Sequence, residues 1–392
     1  MKKYFFIFLV LLLLFALFLK YWTAAFFVAV FSFAWLSREN SERTQFRFLK
    51  GKGFREINFD LGADPAQIAI AADGSAALFV TVDGAMSMRD ASGAELWKRP
   101  LEAKTLAILP LSGGSAYYAV ADEVVKTDAR GYVVARLSFA PPQFLQSYRL
   151  LLSKDSSSLL LHTPWFLQFM DPDLRALGPR ISCETTGHYM KYCALSQHAD
   201  RVFFAGAKLL EEEQSTEARW ASWQKRDNEW IPDWAQSKES PGNSHLRGLA
   251  FSPDDSAMIL ELYQEGYEFQ VLNSDGSLRW RRVGGEFPIL NSDASLILWE
   301  NPFEGVTLTD LNGQKKLWSH KGEEKIRHKT VLEDGRSLLI EGRRLMRFDR
   351  QGGLQWEAWF QTDPYRFESS ADGLKFALVR KNKGAILSLE RA

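Results

Sequence analysis

Asp90-Ala-Ser-Gly93 leads to Trp97, and the same phrase returns as Asn273-Ser-Asp-Gly276 before Trp280, Asp310-Leu-Asn-Gly313 before Trp318 and Asp349-Arg-Gln-Gly352 before Trp356. Asp128-Ala-Arg-Gly131 repeats the turn without the tryptophan. The leading Asp or Asn can bond nearby backbone and Gly accepts positive φ, so each phrase reads as a tight hairpin. The Trp falls on the outgoing strand, where a large flat side chain can wedge between neighbouring sheets.

Working outward, a second landmark precedes each of these turns: an apolar strand, a small polar turn, then another apolar strand. Ala69-Ile-Ala-Ala-Asp-Gly-Ser-Ala-Ala-Leu-Phe-Val80 and Val331-Leu-Glu-Asp-Gly-Arg-Ser-Leu-Leu-Ile340 are clear copies, and Ala194 to Phe204 is a degenerate one. One turn residue from each copy (73, 113, 155, 200, 254, 293, 334, 372) gives spacings of 40, 42, 45, 54, 39, 41 and 38. A period near 40 residues is that of a propeller blade of four strands. The expected fold is all-β: a β-propeller of eight four-stranded blades, or seven if the unit near Ala194 is not a blade. The last repeat ends after three strands, at Leu387 to Arg391, while Phe54-Arg-Glu-Ile-Asn-Phe-Asp60 alternates like a strand. Supplied to the last blade, it would close the ring and remove an open edge.

On the Asp-x-x-Gly-x-x-x-Trp element, the chain resembles the quinoprotein-like (PQQ-like) and WD40-like propeller repeats over roughly residues 54–391. The resemblance implies the architecture, and implies that Trp97, Trp280, Trp318 and Trp356 pack blades together. It does not imply one function, because such blades serve enzymes, assembly factors and scaffolds alike. Quinoprotein dehydrogenases of this repeat imply a cofactor floor, calcium-binding carboxylates and commonly adjacent cysteines. This chain has no adjacent cysteine pair, so that carry-over fails.

The N-terminus is of another kind. Tyr4 to Leu19 is an uncharged apolar run behind Lys2 and Lys3, and a second run, Thr23 to Leu36, follows Lys20-Tyr21-Trp22. One helix over both would be roughly 50 Å long, against a hydrocarbon core of about 30 Å. A single span with an interfacial remainder, a hairpin of two short spans and a cleaved signal peptide all remain open. Cutting near Thr23-Ala24-Ala25 would leave a very apolar new terminus, so retention as a transmembrane helical anchor is the expectation. The domains then read as anchor 1–37, basic linker 38–53 and propeller 54–392. Lys2 and Lys3 place the ring outside the cytoplasm after one crossing, on the periplasmic side of a bacterial inner membrane. The cluster from Arg38 to Arg55 pulls instead towards a cytoplasmic-facing hairpin.

Whole-chain charge is zero, yet the first 36 residues carry three lysines and no acid, leaving 45 basic against 48 acidic residues, a net of −3. That balance argues against nucleic-acid binding, which needs a basic footprint. The chain has no Gly-x-Ser-x-Gly elbow, phosphate-binding Gly-Lys-Ser/Thr loop or His-Glu-x-x-His helix. No catalytic, cofactor or metal residues are therefore assigned. Cys183 and Cys193, the only cysteines, read either as one disulfide or as two ordinary thiols.

Candidate partner residues lie on loops joining second to third strands and in the stretched unit. They are Trp165; Glu211, Glu212 and Glu213; Trp220, Trp223, Trp230 and Trp234; Tyr263 and Tyr267; and Phe303. Aromatic residues concentrate at interfaces, and binding residues favour loops on a rigid frame. The functional expectation is a non-enzymatic, membrane-tethered scaffold for protein–protein contacts, in the setting of envelope assembly. A glycan or small-ligand module is the first alternative, and a quinoprotein-like enzyme the second.

Overall fold

The computed structural model describes residues 49–389, apart from residues 51–53, 102, 141–147, 184–188, 197, 211–214, 228, 242–244, 252–255, 264–265, 292–294, 302–304, 314, 333 and 362–365. The anchor expected over 1–37 lies outside the described residues. Among those described, no helix is long and apolar enough to cross a membrane.

Eight antiparallel sheets follow one another along the described chain, each built on four strands that neighbour one another in meander order, the eighth borrowing its outer strand from the N-terminal side. Blades 1 to 7 span residues 65–100, 107–138, 149–182, 189–241, 245–283, 286–320 and 326–360. Blade 8 takes Arg366–Ser369, Lys375–Arg380 and Lys383–Leu389 from one end of the chain and Phe54–Asp60 from the other. The latter pairs in continuous register with the third strand, from Phe54 opposite Leu389 to Asp60 opposite Lys383. The count is eight, and the closing strand is the one the alternation at Phe54–Asp60 indicates. One further pairing was not legible: Leu49–Lys50 adds to the outer edge of blade 7, opposite Trp359 and Phe360. Part of the expected linker therefore joins the ring.

Second strands are apolar on both faces because a blade is covered on both sides. Ala76–Thr81, Leu159–His162 and Ser337–Glu341 are buried throughout. Outer strands alternate instead, as a half-solvated strand should, with Val133–Ser138 an example.

The Asp-x-x-Gly turns have the anticipated geometry. Asp128 Oδ1 accepts from the backbone N–H of Arg130 and Tyr132, both at 2.9 Å, and Gly131 stands at φ +80°. The glycine has a second reason to lack a side chain. A Cβ on Gly131 would stand 2.8 Å from the ring of Trp97, which belongs to the preceding blade. The same holds for Gly276 under Trp234 at 2.7 Å, Gly313 under Trp280 at 2.8 Å and Gly352 under Trp318 at 2.7 Å. Each tryptophan thus seats on the turn glycine of the next blade. Trp97 Nε1 also donates to Gly114 O at 2.8 Å, and Trp234 Nε1 to Ser274 O at 3.1 Å. At the closure, Ile57 takes the tryptophan's place over Gly93.

Three seams are built differently. Between blades 2 and 3, Ala135 occupies the tryptophan position, and the facing turn reads Asp171-Pro-Asp-Leu174. Leu174 N donates to Asp171 O at 2.9 Å, and Asp171 Oδ1 accepts from Asp173 N and Arg175 N. It is the same turn, with leucine at φ +64° in place of glycine. Leu174 and Ala135 pack in one cluster, so bulk has moved from the strand to the turn. Between blades 3 and 4 the tryptophan points backwards: Trp230 stacks on Phe169 of blade 3 at 3.8 Å and 20°. Blade 8 has no third-to-fourth turn at all, because its outer strand comes from Phe54–Asp60.

Candidate docking surface

Antiparallel order puts second-to-third turns and blade-to-blade connections at one end of every blade, and the aspartate turns at the other. The described expected loop residues Trp165, Tyr263 and Tyr267 therefore share one face.

Its firmest feature lies at blades 3 and 4. Thr163 is fully buried, and its Oγ1 accepts from Phe166 N at 3.0 Å and Trp165 N at 3.2 Å, fixing the turn that carries Trp165. That loop is stitched to its neighbour: Cys183 N donates to Trp165 O at 2.7 Å, and Met190 N to Pro164 O at 2.9 Å. Beneath it His162, 2% exposed, places Nε2 2.9 Å from Met190 O. Burial pushes this imidazole down to about 4. On top, Trp165 meets Tyr189 edge to face, with centroids 4.7 Å apart and planes at 90°. Tyr189 is 53% exposed, although it was not among the expected residues.

Further round the ring, Tyr263 and Tyr267 face each other across the blade 5 hairpin, with centroids 4.9 Å apart. Sequence reasoning also missed Phe287, which is 44% exposed and held at φ +49°. Its N–H donates to the buried Glu261 Oε1 at 2.9 Å, and Lys329 Nζ stands 5.3 Å from its ring centroid. Lys329 is itself buried and paired with Glu300. Burial lowers the Lys329 pKa, against the opposing pull of Glu300, Glu261 and Glu286. Gly284-Gly285 immediately before Glu286-Phe287-Pro288 was the available signal: a flexible pair ahead of a lone aromatic.

The tryptophan quartet of blade 4 is corrected. Trp220 and Trp230 are buried, at 5% and 7% exposure, and do not belong to a surface. Trp220 and Trp234 pack towards blade 5, Trp223 and Trp230 towards blade 3. Residues 220 and 223 have opposite parity along one strand, so they face opposite sides. Residues 230 and 234 have the same parity, but a bulge where Ser222 opposes Trp234 and Trp223 opposes Pro232 reverses the second. Glu211, Glu212, Glu213 and Phe303 lie outside the described residues. Cys183 and Cys193 are thiols in the structure, Cys193 buried in the blade 3–4 core, where desolvation raises its pKa.

Comparison of the sequence with protein-family models and with curated proteins finds no match. Solved structures do match. The chain is an eight-bladed propeller. It superposes on the Dos1 propeller with a TM-score of 0.62 at 12% identity, covering 88% of this chain and 96% of that one. It superposes on BamB from Moraxella catarrhalis with a TM-score of 0.53 at 12% identity, covering 88% and 99%. In all, 1340 solved chains match, a breadth at which shared fold assigns no activity.

Proposed function

We propose that this chain is a membrane-tethered, non-catalytic propeller that docks a protein partner on the face carrying its second-to-third turns, with the ring on the periplasmic side. The observation that carries the reading is the Trp165–Tyr189 pair. It is a rigid aromatic step across a blade seam, tied to backbone on both sides, with half of Tyr189 open to solvent. Anchored aromatics with few rotatable bonds suit docking, because little side-chain entropy is lost on contact. Phe287, with Tyr263 and Tyr267, extends the same face around the ring. A ring of the same build as the Dos1 and BamB propellers offers such a face on a stiff frame.

The test uses the full chain in its native membrane, with a photo-crosslinking residue placed at Tyr189, at Phe287 or at Leu96 on the outer circumference. The reading expects one protein species crosslinked from 189 and 287, not from 96, and lost from 287 when Tyr189→Ser is added. Adducts from Leu96 alone, or no protein adduct from either face position, would overturn it.

A further inference from the structure

The opposite face holds a feature that protein docking does not use. Where the inner strands of blades 8, 1, 2 and 3 end, a cavity of about 780 Å³ opens at the mouth of the ring. Small-molecule sites run from about 300 to 1,000 Å³, so the space is of ligand size.

Its wall is apolar: Ile70, Leu109, Leu111 and Leu150 are among the residues that form it. Tyr117 lines one side, but it is 1% exposed and its hydroxyl donates to Pro172 O at 2.7 Å. No open aromatic platform or spare phenol is therefore offered to a sugar ring. The polar groups of the wall are serine hydroxyls and two lysines, Lys126 and Lys154, with no carboxylate. Lys126 is paired, 3.0 Å from Asp173. Lys154 is exposed and has no ion-pair partner among the described residues. The neighbouring turn carboxylates keep their charge but do not form part of the wall: Asp155 Oδ1 accepts from Ser153 Oγ and from Ser157 N and Oγ, and Asp73 Oδ1 from Ser75 N, with Ser112 also bonded to the Asp73 carboxylate.

From this we infer that the cavity binds a small amphipathic anion, an aliphatic body carrying one carboxylate-type head group. The body lies against the leucine and isoleucine wall, and the head group meets Lys154 at the rim. A cationic ligand would find no acid in the wall. A neutral alkyl chain would gain the burial without the charge-assisted hydrogen bond to Lys154.

Isothermal titration of the full chain with decanoate, decan-1-ol and decylammonium tests this. Decanoate is expected to bind one to one, with the alcohol about tenfold weaker and the ammonium not binding. Lys154→Glu should weaken decanoate about tenfold while Lys154→Arg restores it. Ser112→Trp, at an exposed rim position, should abolish binding by filling the mouth. Matching melting curves for the three variants establish that the ring is intact. Failure of decanoate to bind, equal binding of decylammonium, or indifference to Lys154→Glu would overturn the assignment. The crosslinking pattern from 189 and 287 is independent of all three outcomes.

Discussion

The seam between blades 1 and 2 and the seam between blades 2 and 3 solve one packing problem in opposite ways. In the first, Trp97 crosses to a turn stripped to Gly131; in the second, Ala135 leaves room and Leu174 reaches across from the turn. Both turns keep the same aspartate-centred hydrogen bonds, so the scaffold is constant and only the owner of the bulk changes. A propeller seam thus requires a filled volume, and either side can fill it. The second solution holds a leucine at positive φ, a conformation that costs roughly 1 kcal/mol or more in a residue with a Cβ.

The largest effect should come from emptying a latched seam. Trp97→Ala removes a buried ring only 6% exposed and its bond to Gly114, and should cost about 3–5 kcal/mol. Urea unfolding measures it. A cost under about 1 kcal/mol would mean the ring does not hold the seam.

Acid should act next, and at an unlatched seam. His162 bridges blades 3 and 4, and burial holds it at about 4. His328, held down by burial and then by the Lys329 charge, also stands at about 4. The unfolded chain takes up these protons near pH 6.5 and the folded chain only near 4. Their contribution is therefore complete above about 6.5 and is lost as pH falls towards 4, on the order of 2–3 kcal/mol for each histidine. His162→Gln should flatten that part of the stability–pH curve, and an unchanged slope would show that His162 is not the group.

The seam facing blade 8 offers a change of the opposite sign. Arg347 is 1% exposed, and none of its three guanidinium nitrogens has a hydrogen-bond partner among the described residues. It pairs across the sheet with Leu338, whose side chain lies against the position of Gly373 in blade 8. Arg347→Met keeps the length and removes the charge, and should stabilise by about 1–3 kcal/mol. Destabilisation would reveal an anionic partner. Smallest of all, Ser156→Gly in the blade 3 turn relieves a φ of +57° and should raise stability by about 0.5–1 kcal/mol. A fall in the melting midpoint would show that its side chain matters more than its backbone.

Much of the ring was legible because turn chemistry and strand parity are local. Asp-x-x-Gly names a hairpin wherever it occurs, and the alternation of Phe54–Asp60 reveals a strand in want of a sheet. What escaped depended on what lies across a seam. Asp171-Pro-Asp-Leu174 was not recognised as the same turn, because leucine hides the glycine signature. Which seam each blade 4 tryptophan faces was not legible, because one bulged residue reverses a face and no sequence spacing shows a bulge. Tyr189 stands out only once the ring places its strand end beside Trp165, whereas Phe287 had the flexible pair Gly284-Gly285 before it as a local signal.

The most direct test of the seam account is to install a latch where the chain lacks one. Ala135→Trp alone should overpack against Leu174 and destabilise by about 1–3 kcal/mol, and Leu174→Gly alone should leave a void. Unfolding free energies of the two single variants and the double complete the cycle. The account predicts that the double variant is about 1–3 kcal/mol more stable than the two changes summed, with the introduced indole seated on the introduced glycine as Trp97 sits on Gly131. Strict additivity would contradict it.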